Sequence, residues 1–299
     1  MIRLGLCCIF VSEPIRFRVA TARALMRYDR TGYLARLSHL ALENARALRG
    51  ALAYCVTHGI GCFRVNSRIL PLRTHPRVGY RVRDLPGASR IRKAFRDCGA
   101  FAREHDVRLT FHPDQFIVLS SPRPEVVSAS IAELEYQAEV AQWIGADVIN
   151  LHAGGVYGDK TAALERLAAA VRRLSPAARR RVTLENDERS YTPRDLMPFC
   201  EKYRIPFVYD VHHHRCLPDG YRVAEVTRRA VATWNREPLF HLSSPKDGWR
   251  GPHPERHHDY IRARDLPREW LAMDITVEVE AKAKELAVAR LLNYVQKHS

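Results

Sequence analysis

Eight short apolar runs recur along this chain, each separated from the next by a longer stretch, and this alternation limits the available folds more than any other feature. The runs are Ile2–Cys8, Cys62–Val65, Val107–Phe111, Val148–Leu151, Val182–Leu184, Pro206–Tyr209, Pro238–Leu242 and Ile275–Val279. Between them lie Tyr33–His58, Ser89–His105, Pro124–Gly145, Lys160–Leu174, Pro193–Tyr203 and Tyr221–Asn235, with Lys282–Lys297 after the last run. In these longer stretches apolar residues recur at three- and four-residue spacing, the period of a helix with one buried face. Short apolar runs of this kind are what strands buried on both faces look like. Eight strands each followed by a helix, in 299 residues, predict a closed (β/α)₈ TIM barrel, an α/β fold, as a single domain over residues 1–299. A doubly wound open sheet is the runner-up. No Gly-x-Gly-x-x-Gly turn follows the first run, so nothing points to a dinucleotide. No linker, low-complexity tract or sequence repeat divides the chain.

A barrel brings the C-terminal ends of all its strands to one face, so the polar residues that end successive runs become neighbours whatever their sequence separation. The fifth run breaks abruptly into Glu185-Asn186-Asp187-Glu188-Arg189. The other strand ends carry His112, His152, Asp210, His241 and Glu280, while His75, His213 and His257 lie in the loops that follow strands. Each residue alone has a structural explanation, as a core histidine or a helix-capping acid. Six of them at successive strand ends form a mixed nitrogen and oxygen donor set that suits Zn²⁺, Mn²⁺ or Fe²⁺. Of the consecutive His212, His213 and His214, at most one or two can face the mouth, and Asp210-x-x-His213 is the favoured pairing. Bound metals at such a mouth suit phosphodiester hydrolysis, and a metal-dependent sugar isomerase uses similar ligands on the same scaffold.

Charge bears on that choice. Lys and Arg number 48 against 33 Asp and Glu, a formal charge of +15, which favours polyanions and nucleic acid first among them. The Arg179-Arg180-Arg181 run precedes the fifth strand and is expected on the face opposite the site. Seven cysteines without a C-x-x-C pair suggest reduced thiols in a cytoplasmic protein. The longest apolar run, Leu4 to Val11, is too short to span a bilayer, and no export signal or membrane association is expected.

The chain resembles the UV damage endonucleases, a family related in architecture to endonuclease IV and the xylose isomerase-like barrels. The resemblance runs over most of the chain. It rests on Phe63-Arg64-Val65 through His75-Pro76, on His112-Pro113-Asp114-Gln115-Phe116, and on Asn150-Leu151-His152-Ala153-Gly154-Gly155 with Tyr157-Gly158 and Lys160. It continues in Leu184-Glu185-Asn186-Asp187-Glu188-Arg189, Asp210 with His213, His241 through Lys246, His257 with Asp259-Tyr260, and Glu280-Ala281-Lys282 with Lys284-Glu285. It implies a barrel holding two or three divalent ions, manganese first with zinc or magnesium as alternatives, that nicks double-stranded DNA 5′ of a lesion such as a pyrimidine photodimer. Carried over residue by residue, it makes His75, His112, His152, Glu185, Asp210, His213, His241, His257 and Glu280 metal ligands.

Among these, Glu185 and His112, with Lys246, are the expected catalytic residues. Arg64, Lys160, Arg189 and Lys246, with Gln115 and Phe116, are the expected DNA contacts, and Arg250 is a further phosphate candidate. The family inserts a Gln-Tyr pair opposite the lesion; here Phe116 keeps the stacking face and loses the hydroxyl. A monomer is expected. A damaged-DNA-binding protein without cleavage is a further alternative.

Two departures stand out. Where typical members carry a carboxylatable lysine two residues before the histidine of the seventh strand, this chain has Leu239, expected to point inward one layer below His241. In the eighth strand Glu278 is inward where the family is usually apolar, which suggests that it supplies the missing carboxylate to the metals. The first-strand loop also differs, with Cys7-Cys8-Ile9-Phe10 followed by a basic 12–30 segment containing Arg16, Arg18, Arg23, Arg27 and Arg30.

Overall fold

A computed structural model describes residues 2–298. The strands are β1 (Arg3–Cys7), β2 (Cys62–Val65), β3 (Arg108–Phe111), β4 (Val148–His152), β5 (Val182–Glu185), β6 (Phe207–Asp210), β7 (Leu239–Leu242) and β8 (Thr276–Val279). All neighbours are parallel, and β1 pairs with β8 to close the barrel in sequence order.

The first long helix illustrates why the connecting segments are helical. Asp29 caps it by accepting the Gly32 amide at 2.8 Å. Over Arg30–Thr57 the buried positions Leu34, Leu37, Ala41, Ala45, Leu48 and Leu52 fall on one stripe, and the helix ends at His58, followed by Gly59 with φ 65°. Losing the Asp29 cap costs about 1 kcal/mol. The expected βα alternation holds for seven strands. After β7 the chain runs through two short 3₁₀ turns, Ala263–Asp265 and Arg268–Ala272, with no α-helix before β8. Pro245, Pro252, Pro254 and Pro267, with Gly248 and Gly251, account for this: proline removes a helical donor and glycine weakens the helix.

The two sides of the barrel wall differ in chemistry. Outward residues such as Leu6, Phe63, Phe111, Leu184, Phe240 and Val277 join the main apolar core between sheet and helices. The inward set is polar and buried: Arg64, Thr110, Asn150, Thr183, Glu185, Asp210, His241 and Glu278. Barrels are ordinarily filled with branched apolar side chains; here that filling is confined to a floor of Val148, Val208 and Leu239 against Trp234. Buried polar groups must find partners or cost several kcal/mol. Leu239 is thus inward and buried, as expected. The triple arginine is not uniform: Arg179 and Arg180 are exposed, while Arg181 is buried and donates to the carbonyls of Ala146 and Ala177 at 2.8 Å each. All seven cysteines are free, and among the described residues no helix is long and apolar enough to cross a membrane.

Candidate metal centre

Seven of the expected ligands converge at the C-terminal mouth. Their donor atoms form three groups, each with its atoms within 4.8 Å of one another: His112, His152 and Glu185; His112, His241 and Glu280; and Glu185, Asp210 and His213. His112 and Glu185 each belong to two groups, so the three are one connected cluster. Glu185 is its centre. One oxygen lies 3.1 Å from His112 Nε2, and the other lies 3.3 Å from His213 Nδ1 and 3.0 Å from His241 Nδ1. Asn150 on the next strand holds it, donating to Glu185 Oε2 at 2.6 Å, and is itself oriented by the Thr183 hydroxyl at 2.9 Å.

The Asp210-x-x-His213 spacing has a local cause. Asp210 ends β6 and caps the turn Val211–Cys216, its Oδ1 accepting the His213 amide at 2.7 Å. Each helical residue turns about 100°, so the three histidines diverge. His213 faces Glu185, His214 bonds Tyr209 Oη at 2.7 Å and Asp219 at 3.0 Å, and His212 packs against Trp249 and His257.

Glu185 Oε1, Asp210 Oδ2, His241 Nδ1 and His152 Nδ1 are buried without a hydrogen bond. The 3.0 Å approach of His241 Nδ1 to Glu185 Oε1 lacks hydrogen-bond geometry, and Asp210 Oδ2 lies 3.5 Å from His213 Nδ1, which is itself 3.3 Å from that Glu185 oxygen. Orphaned buried acceptors of this kind cost free energy unless a cation or water takes them. The donor set therefore fits a divalent ion of the Zn²⁺ or Mn²⁺ type. Charge agrees. Burial alone would raise the Glu185 carboxyl, but His241, His152, His112 and His213 hold it well below the usual range. Glu280 is likewise held down against burial by Arg64, His241 and His257. Burial lowers His112, partly offset by Glu185.

The remaining expected residues stand differently. His257 lies at the rim, its Nδ1 3.9 Å from Glu280 Oε2, and joins none of the three groups. His75 is not part of the cluster among the described residues. Its Nδ1 accepts the amides of Arg77 and Val78 at 3.2 and 3.4 Å within its own loop, which proline and glycine fold back on itself. Glu278 points inward as expected but is not a member of any ligand group. Its carboxylate is occupied by Arg64 (2.5 Å from Nε), by the Thr110 hydroxyl and by His241 Nε2 at 3.0 Å.

Arg64, expected to contact DNA, is taken up by the same buried network. It is 6% exposed and bridges Glu278 to Glu280, the latter at 2.6 Å. Lys160 is paired with Asp195 at 2.8 Å, Arg189 is exposed with Glu188 at 3.3 Å, and Lys246 is exposed on the β7 loop without an acidic partner among the described residues. Gln115 is exposed and Phe116, at 73% exposure, projects from the β3 loop without folding back on the rim. Sequence reading missed the support by Asn150 and the approach of Glu188 to His213 Nε2 at 3.7 Å. Glu188 had a signal, as the fourth residue of the polar run that ends β5.

Comparisons with known proteins place the chain in a family. The UV-endonuclease UvdE family matches residues 2–299. The UV DNA damage endonuclease of Bacillus velezensis is 34% identical over 299 residues, covering 95% of this chain and 90% of the relative. Among solved structures, SacUVDE superposes with a TM-score of 0.88 at 24% identity over 99% of both chains. The D-psicose 3-epimerase of Clostridium cellulolyticum H10 superposes with a TM-score of 0.58 at 15% identity over 84% of this chain and 93% of its own. The last two likenesses establish the barrel, which by itself selects no chemistry. The match across the chain and the 34% identity of the bacterial relative show that this chain belongs to the UV-endonuclease UvdE family.

Proposed function

We propose that this chain is a metal-dependent endonuclease that nicks double-stranded DNA on the 5′ side of a UV photolesion. The observation that carries the reading is the convergence of orphaned carboxylate and imidazole atoms on Glu185 and His112 at the barrel mouth. His112, His152, Glu185, Asp210, His213, His241 and Glu280 would hold two or three ions, manganese first, with His257 at the rim. Bound there, such ions supply hydroxide near neutral pH and stabilise negative charge on the attacking and leaving oxygens. Asn150 keeps the Glu185 carboxylate aimed into the cluster, and Asp210 fixes the turn that carries His213. Lys246 is available to hold a phosphate. Gln115 and Phe116 are the wedge: an exposed ring inserts most readily where a lesion has already weakened stacking.

The formal charge of +15 and the exposed ring favour DNA over the sugar substrate of an isomerase-like barrel. We read the chain as a cytoplasmic monomer. End-labelled duplexes carrying a photodimer, an abasic site or no lesion, incubated with Mn²⁺ or chelator, test the proposal. Cutting immediately 5′ of the photodimer, lost with chelator, is expected. An intact photodimer duplex under every metal tried would overturn it.

A further inference from the structure

The described residues expose eight large apolar side chains, and seven of them lie in connections that follow strands. Five of them, Ile9, Val11, Val19, Met26 and Tyr28, fall in the connection from β1 to the helix beginning at Arg30; Phe116 and Tyr157 stand on neighbouring strand-end loops. Across residues 12–30 the same connection carries five arginines against Glu13 and Asp29. Arg16 is spent on backbone carbonyls, including those of Phe10 and Ile15, and Arg30 donates to the Tyr33 hydroxyl. Arg18, Arg23 and Arg27 are exposed, and none has a carboxylate partner among the described residues.

Exposed arginines are common; a rigid backbone beneath them is not. Glu285, fully buried, accepts the amides of Val11 at 3.0 Å and Ser12 at 2.6 Å and the Ser12 hydroxyl at 2.7 Å. Asn44, also fully buried, takes the Arg18 amide at 2.6 Å and donates to the carbonyls of Arg18 and Ile69 at 3.0 and 2.8 Å. Phe10 and Phe17 each stack on Phe63. Folding has therefore already met the ordering cost that a loose basic loop would incur on binding.

The surface is also continuous with the wedge. Val19, Ala20 and Thr21 border one cavity with Arg68 and His75, and Arg68 reaches Asp114 at 3.2 Å, next to Gln115 and Phe116.

We infer that residues 9–30 form a rigid arm that grips the sugar-phosphate backbone of the duplex on one side of the wedge. Arg18, Arg23 and Arg27 meet phosphates while Val19 and Met26 lie against sugars. DNA fits better than a protein partner because the three cations have no acid of their own and the arm adjoins the wedge. The inference rests on the DNA reading above and deepens it by naming the surface that holds the flank.

The test is salt dependence of binding by the metal-loaded full chain, using a photodimer duplex made resistant to cutting by a methylphosphonate linkage 5′ of the lesion. Each phosphate neutralised contributes a slope of about −0.9 to log K against log salt. R18A/R23A/R27A should be shallower than the parent by about 2.7, so that the ratio of their affinities shrinks about 40-fold between 50 and 200 mM salt. R18K/R23K/R27K should keep most of the slope, and metal content and melting temperature should be unchanged in both. Trimming the duplex on one side of the lesion should weaken the parent and leave the alanine variant nearly unaffected. A steep parent slope that the alanine variant shares would overturn the arm while sparing the DNA reading, and would leave the patch to another partner. A flat parent slope would sink both.

Discussion

Replacing Glu278 with glutamine should destabilise the barrel from its centre while changing almost no volume. Arg64, the Thr110 hydroxyl and His241 Nε2 all converge on this carboxylate. It can only accept, and it meets donors on every side. The amide of the substituted side chain would turn an NH₂ toward one of them and remove the charge that balances a guanidinium buried to 6% exposure. Burial pushes the Glu278 carboxyl up, but Arg64, His241 and Thr110 together pull it down from 4.5 to about 2. At about 1.4 kcal/mol per pH unit, that is roughly 3 kcal/mol of stability, in line with about 3–5 kcal/mol for breaking a buried pair. With unfolding entropy of about 2.1 cal/mol/K per residue, 299 residues give about 0.6 kcal/mol/K. The melting temperature of E278Q should therefore fall by roughly 5 °C. Because the folded pKa lies below the unfolded value, this contribution is complete above about pH 4.5 and is lost as pH falls toward 2, so the gap should narrow in acid. Melting of the metal-free protein, with R64M and R64M/E278Q completing a double-mutant cycle, measures the coupling. The double variant should lose at least about 2 kcal/mol less than the two singles together. Additivity within about 0.5 kcal/mol would refute the claim that Glu278 and Arg64 form one unit.

Glu185→Gln should lower nicking roughly a thousandfold, since it disturbs two of the three ligand groups; bound manganese per chain, read alongside circular dichroism, separates ligand loss from unfolding. Phe116→Ala should cut the preference for photodimer over intact duplex roughly tenfold, because a stacked base is worth about 1–3 kcal/mol, and leave metal content unchanged. Chelation should lower the melting temperature: an ion at a hundred times its dissociation constant stabilises by about 2.7 kcal/mol, and scans with and without Mn²⁺ measure it. Burial raises the Glu285 carboxyl, but Ser12 and Val11 donors hold it below its ordinary value. Its hold on the arm is complete above that ordinary value and is lost as pH falls through the lower folded one, so proteolytic nicking within residues 9–20 should increase only in acid.

The strands were legible because each is an apolar run long enough to cross a barrel wall once, and the mouth because strand ends in such a barrel share a face. Single positions were less legible where register or local turns decide them. Spacing from Asp210 favours His213 among the three consecutive histidines, but it is the turn capped by Asp210 that aims His213 at Glu185 and sends His212 and His214 elsewhere. Nor does the Thr74-His75-Pro76 motif reveal that the His75 ring turns back onto its own loop.

Arg64 is the instructive case. Its flanking Phe63 and Val65 join the outer core, so a two-residue period already sends Arg64 inward. An inward arginine needs an acid near its own level. Register puts Glu278 beside Gly5 and His241, and Gly5 beside Cys62. Of the inward groups around the guanidinium, Gly5, Cys62, Thr110 and His241 carry no negative charge, which leaves Glu278 in that layer and Glu280 above it. Gly5 also makes the room, since a Cβ there would lie 3.1 Å from Glu278 Cγ. Glu278 and Arg64 are therefore one decision written on two strands, and reading either alone misses the pair that they form.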